Sequence, residues 1–450
     1  MTQDNIETSQ NSMVPTNKTS EGYAWFVVFV LSLATIVSYI DRQVINLLVE
    51  PIKSSLSISD TQISLLQGFS FAIFYAVLAL PIARLADTGK RTRLINLGII
   101  TWTLATFSCG LAVGFWTLFF ARVFVGAGEA TLTPSSYSII GDYFRKDRLP
   151  LAISLFVSAS FLGSGVALIA GAYVIDAVEA FGIINLPLLG ELEPWQLIFM
   201  LVSLPSVLLL LLMRLVKEPS RINDGEKTAK ETTFRQVFAY IGSNYRVYIA
   251  IFVGFTLMAS AQFGIGAWAP SFFIRTYGWT PAEIGTTLGL LTTICSTGGV
   301  LCGGWLSSYL TKIGVDGSNF LVSIGGALIC IPVTIAFPLQ SEAAYSLACL
   351  GPVLFFGAMP FGAGTSTLPQ IAPNRMRAQV VAIYLLFANL FGFTVGPTVI
   401  ALMTDIVFED PMLIRYSLAT VLPVMLLCGA GVVASGIRHY KTLLNEQASI

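Results

Sequence analysis

Residues 23–49 read YAWFVVFVLSLATIVSYIDRQVINLLV. The run is apolar except near its end, where Asp41 and Arg42 stand side by side. About 20 apolar residues in a helix cross the hydrocarbon core of a bilayer, so this stretch is long enough to span. A charge at the centre of an inserting helix costs about 2.5 to 3.5 kcal/mol, so Asp41 and Arg42 need partners or an aqueous cavity. The pair is the first functional candidate.

Outward from this run, apolar segments of spanning length recur, giving twelve in all: 23–49, 61–83, 94–113, 116–140, 149–173, 195–215, 247–273, 284–310, 319–338, 344–369, 378–404 and 412–437. The chain as a whole is 55% hydrophobic and 11% charged, which describes an all-α multi-span membrane protein and not a soluble one. Zero net charge argues against a nucleic-acid partner. All six cysteines fall inside apolar runs and read as small core residues. The single histidine, His439, lies in the polar C-terminal tail, so proton handling inside the membrane falls to carboxylates. Neither metal nor cofactor is expected, with protons as the coupling ion.

Lys and Arg concentrate in the tails and the even-numbered connections, whereas the opposite side holds only Lys53, Arg275 and Arg415 among many acids. By the positive-inside rule both termini are cytoplasmic. Residues 1–22 form a polar, disordered tail with no signal peptide. A basic linker at 217–246 separates six-span bundles at 23–216 and 247–438, and 439–450 is a second tail. Arg148, Ala159, Gly163 and Asp176 match Arg377, Ala388, Gly392 and Asp405 at a constant offset of 229, so the fifth and eleventh spans read as copies.

Four charges lie deep in the spans: Asp41, Arg42, Arg122 and Glu129. Asp41 and Arg122 fall at matching depth, and Arg122 and Glu129, two turns apart, share a face about 10 Å long. Arg42 is turned about 100° from Asp41 and faces a different partner. The expectation is that Asp41 and Arg122 pair across a central cavity, with Glu129 as a second proton site; an anion that captures Arg122 then frees Asp41 to take a proton. A static salt bridge is the alternative. At the cytoplasmic ends, Asp87 and Arg91 of the segment 83–93 (ARLADTGKRTR), with Asp142 and Arg148, are candidates for a latch that breaks when the inside opens. The second half has no deep charge. Its Gly264, Gly266, Pro270, Gly357, Pro360, Gly362 and Gly364 suit gating helices, and Phe252, Phe255, Met258, Phe263, Phe355, Phe356, Met359 and Phe387 suit an apolar pocket. No nucleotide-binding loop or catalytic motif is present, so an enzyme is not expected.

Twelve spans in two halves, the 83–93 segment and Arg122-x-x-x-Gly126-x-Gly128 resemble the major facilitator superfamily over residues 23–440. Ala83 departs from the usual glycine at the start of that segment. Within the superfamily, Asp41-Arg42, Ser59-Asp60, Gly128-Glu129-Ala130, Gly163-Ser164-Gly165 and Ala170-Gly171 resemble the spinster family, most closely its bacterial homologues, although organic anion:proton symporters share two of these motifs. The resemblance implies a bacterial inner-membrane carrier of lysophospholipids or sphingosine-1-phosphate-like lipids working by alternating access. It also implies roles for Asp41, Arg122 and Glu129, with Arg122 holding the phosphate or carboxylate and the second half walling the tail. The resulting expectation is a monomeric, proton-coupled transporter of amphipathic lipids surrounded by membrane lipids. A proton-coupled carrier of small organic anions or drugs is the nearest alternative, and a lipid-binding receptor the more distant one.

Overall fold

The computed structural model describes residues 21–144, 148–180, 184–186, 190–220, 234–364, 367–373 and 376–448. Among the described residues twelve long helical stretches follow one another. The first six are α1 (Glu21–Leu47), α2 (Asp60–Ser64, through a π-helical turn Leu65–Phe69, to Ser70–Thr88), α3 (Arg91–Cys109), α4 (Phe115–Glu129 and Leu132–Tyr143), α5 (Leu149–Glu179) and α6 (Pro194–Met213). The second six are α7 (Tyr245–Tyr277), α8 (Pro281–Lys312), α9 (Ser318–Leu339), α10 (Ala343–Gly364), α11 (Arg377–Leu402, continuing as Met403–Phe408) and α12 (Ile414–Ala448). Ten are long and apolar enough to cross a membrane. The other two are α3, which opens on Arg91 and Arg93, and α4, which is interrupted at Ala130 and Thr131.

The halves repeat one packing pattern. In the first, α1 lies against α5, α3 against α6, and α4 against α2 and α3; in the second, α7 lies against α11, α9 against α12, and α10 against α8 and α9. Between halves the contacts are also reciprocal, α5 with α8 and α2 with α11. Lipid gives apolar helices little reason to associate, so close approach depends on small residues. At the α5–α8 crossing a Cβ on Gly165 would stand 2.5 Å from the Gly289 carbonyl oxygen, and at the α2–α11 crossing a Cβ on Gly68 would stand 2.1 Å from that of Phe393.

Two segments differ from the sequence expectation. The helix α12 runs on to Ala448 instead of ending near 438, because residues 439–448 are good helix formers and two of them are buried, Tyr440 stacking on Phe320 at 4.4 Å. A short antiparallel hairpin, Ile184–Leu186 with Gly190–Leu192, joins α5 to α6 where no strand was expected. Residues 1–20, most of the N-terminal tail, and 221–233 of the linker lie outside the described residues.

Candidate functional site

A cavity of about 390 Å³ lies between the halves, within the range of about 300–1,000 Å³ usual for small-molecule sites. Arg42 of α1 and Glu129 of α4 line it, whereas Asp41 and Arg122 do not. The ion pair at this wall is Arg42 Nη2 to Glu129 Oε2 at 2.5 Å, and not Asp41 to Arg122. Glycines of α4 deliver Glu129 to it. A Cβ on Gly126 would meet the Phe71 carbonyl of α2 at 2.1 Å, and one on Gly128 would meet the Trp102 N–H of α3 at 2.7 Å, so both neighbours close in on α4. The Arg42 guanidinium also sits in an aromatic box, 4.2 Å from the Phe71 ring centre, 4.7 Å from Tyr39, 5.9 Å from Tyr75 and 5.5 Å from Phe393 of the other half. Aromatic faces hold a cation in a weakly solvated site without neutralising it.

Asp41 and Arg122 are both 0% exposed. Arg122 Nη1 donates to the Asp41 backbone oxygen at 3.0 Å, and Nε donates to that of Leu66, inside the π-helical turn, at 3.3 Å. The matching depth was therefore right and the expected pair was not. Along a helix the side chain leans toward the N-terminus and the carbonyl points toward the C-terminus, so an arginine level with residue 41 finds its carbonyl. Arg122 staples α1 and α2 to α4. Among the described residues neither oxygen of the Asp41 carboxyl has a hydrogen-bond partner, nor has Glu129 Oε1.

Three amides escaped the sequence reading. Gln43 donates to Ser164 at 2.8 Å, Asn46 to Gln43 at 2.6 Å and to the Gly266 carbonyl at 3.4 Å, and Gln67 to Asn46 and to the Ala267 carbonyl, each at 3.1 Å. The Gly266 carbonyl is free because Pro270, four residues on, has no N–H to offer it. An Asn or Gln inside a span beside a proline in the opposite half was the legible signal.

The end of the molecule away from Glu21 and Ala448 is closed by charge. Arg275, in the last turn of α7, binds Asp60 at the start of α2 through two hydrogen bonds of 2.7 and 2.8 Å. It also reaches Glu50 at 2.8 Å and the Pro411 carbonyl at 3.1 Å, and Lys53 pairs with Asp60 as well. Beside them the Thr61 N–H and hydroxyl both donate to Asp405 of α11 at 2.6 Å. Lys53 and Arg275 are two of the three cations that broke the charge rule on their side of the chain.

At the opposite end, Arg91 meets Asp142, and also Glu218 at 2.8 Å and Ser138 at 2.9 Å. Arg148 pairs instead with Glu21 on the surface, and the side chain of Asp87 lies outside the described residues. Arg91, Asp142 and Glu218 all belong to the first half or the segment leaving it, so they brace that half. Partial burial pushes the Glu218 carboxyl up, but the Thr92 N–H, the Arg91 guanidinium and the Thr92 hydroxyl outweigh it and hold it below the usual carboxylate range. Of the eight large apolar residues expected to form a pocket, only Phe263 lines the cavity.

The family model of the Major Facilitator Superfamily matches residues 31–397. An MFS-type efflux pump of Mycolicibacterium smegmatis is 28% identical over 402 residues, 86% of each chain. Protein spinster of Drosophila melanogaster is 23% identical over 89% of this chain and 65% of its own length, and the mouse sphingosine-1-phosphate transporter SPNS2 is 26% identical over 85% and 70%. A crystal structure of a bacterial homologue of the human lysosomal transporter spinster, inward-facing and unoccupied, superposes with a TM-score of 0.77 at 25% identity, covering 96% of this chain and 99% of that one. Two matching halves around one cavity, and a family model running from α1 into α11, lead to one conclusion: the chain is a multi-pass membrane protein that belongs to the major facilitator superfamily of transporters.

Proposed function

We propose that this protein is a proton-coupled secondary transporter of amphipathic anions, lysophospholipid-like or sphingosine-1-phosphate-like, working by alternating access in a bacterial inner membrane with both termini cytoplasmic. The reading rests on one observation: the Asp41 carboxyl is fully buried with no hydrogen bond to either oxygen among the described residues, and the next residue of α1, Arg42, forms with Glu129 a pair that faces the cavity. A buried carboxyl group without a donor holds a charge only when water or a cation reaches it. An anionic headgroup entering the cavity competes with Glu129 for Arg42; the displaced Glu129 then takes a proton, so cargo and proton are bound together. Asp41 passes a proton to that site or stores it, and Arg122 fixes the three helices that hold both. The far-end lock of Asp60 and Arg275 keeps the cavity shut on that side until the halves rock apart.

Similarity to spinster proteins, among them a sphingosine-1-phosphate transporter, supports a lipid cargo. A second reading, a small organic anion, is favoured by the amides and hydroxyls that line the cavity on both halves, Gln43, Ser164, Gln262 and Asn389 among them. Uptake of labelled lysophospholipid by sealed proteoliposomes, with and without a pH gradient, separates the two. Gradient-dependent uptake that falls at least tenfold in both Asp41→Asn and Arg42→Ala supports the lipid reading. Gradient-driven movement of small anions alone supports the second, and binding without flux of either defeats both.

A further inference from the structure

The second-half wall of the cavity carries two side-chain amides that the coupling device does not use. Gln262 of α7 and Asn389 of α11 both line the cavity and are half-buried. Among the described residues neither makes a hydrogen bond within the protein, whereas the first-half amides Gln43, Asn46 and Gln67 are all engaged in the ladder described above. Gln262 lies in space kept for it: a Cβ on Gly357 of α10 would stand 2.4 Å from Gln262 Oε1.

Their position relative to Arg42 follows from the rings between them. Phe393, whose ring centre is 5.5 Å from the Arg42 guanidinium, packs at a tilt against Phe263, with ring centres 4.0 Å apart. Asn389 is one helical turn, roughly 6 Å of rise, before Phe393, and Gln262 adjoins Phe263, so the two amides flank the pair of rings that faces Arg42. An amide offers both a donor and an acceptor and no charge, so it favours a ligand group that can do the same. A bare hydrocarbon tail cannot.

We infer that Gln262 and Asn389 form a second subsite, which takes an uncharged hydroxyl or amide group of the cargo while Arg42 takes its anion. The cargo class is an anion that also carries an uncharged hydrogen-bonding group, both held within one cavity. This rests on the proposed reading only in placing the anion at Arg42.

The test is proteoliposome uptake of two matched pairs of cargo. One is oleoyl lysophosphatidic acid against its 2-deoxy analogue; the other, without tails, is glycerol 3-phosphate against propyl phosphate. In the wild type the hydroxyl-bearing member has a KM about three- to tenfold below its partner, as one or two neutral hydrogen bonds imply. Gln262→Leu and Asn389→Leu each narrow that gap and leave the deoxy member unchanged, which also shows that the variants fold. If only the tailless pair moves and keeps its preference, the lipid reading fails and the subsite stands. Equal KM values within the pair that moves, or variants that weaken both members alike, overturn the subsite.

Discussion

Glu129 is held from one side: Oε2 receives Arg42 at 2.5 Å, and Oε1 is buried with no donor among the described residues. Removing one member of a buried ion pair costs about 3–5 kcal/mol, because the survivor keeps its charge without a partner, whereas replacing both is often nearly neutral. Arg42→Met and Glu129→Gln should therefore each lower thermal stability in detergent by more than the double variant does. Additive losses would show that the two side chains are not coupled. Both residues were legible in the sequence, since a charge inside a spanning run stands out against an apolar background. Their partners were not legible. Depth along a helix fixes which residues are level, but the choice between a side chain and a carbonyl is made by the direction each points, and Arg122 reaches the carbonyls of Asp41 and Leu66 first. The same limit hid Gln262 and Asn389, since an amide carries no charge to mark it.

Among the elements, α7 carries most of the hydrogen bonds found between the halves among the described residues. Pro270 frees the Gly266 carbonyl, and Asn46 of α1 donates to it across the interface. Pro270→Ala restores an N–H to that carbonyl within α7 and competes with Asn46. One neutral hydrogen bond is worth about 1 kcal/mol, so the balance between closed and open far ends should move about fivefold toward open. Spin labels at Ser54 and Glu409, both exposed on that end and on opposite halves, report it as growth of a longer distance population. An unchanged distribution would mean that the proline does not govern this contact. The breakers of α7 were visible as such, and the twelve spans with their pairing into halves were legible from hydropathy and the repeat. The carbonyl partners were invisible, because they depend on which residue of another helix stands opposite.

At the scale of the whole molecule, closure on one side depends on a small group of charges. Arg275 ties the second half to Asp60 and Glu50 of the first and is itself held by the Pro411 carbonyl of its own half, and Thr61 ties the first half to Asp405. The charge census of the chain had used Arg275 and Lys53 only to orient the spans; their isolation among acids was the sign of a lock. Asp60→Asn, which removes the charge from a bidentate pair, should shift the Ser54–Glu409 distances further than Pro270→Ala does, because a buried ion pair outweighs one neutral hydrogen bond by about 2–4 kcal/mol. A smaller shift would place the closing energy in the glycine crossings of α5 with α8 and α2 with α11 instead. Opening and closing become transport only if cargo and proton move together, and that is read directly in sealed proteoliposomes loaded with a pH-sensitive dye. Adding lysophosphatidic acid outside should acidify the interior of wild-type vesicles, with the signal lost in Asp41→Asn at equal protein content. Cargo entry without any interior pH change, or an undiminished signal in Asp41→Asn, would contradict the account.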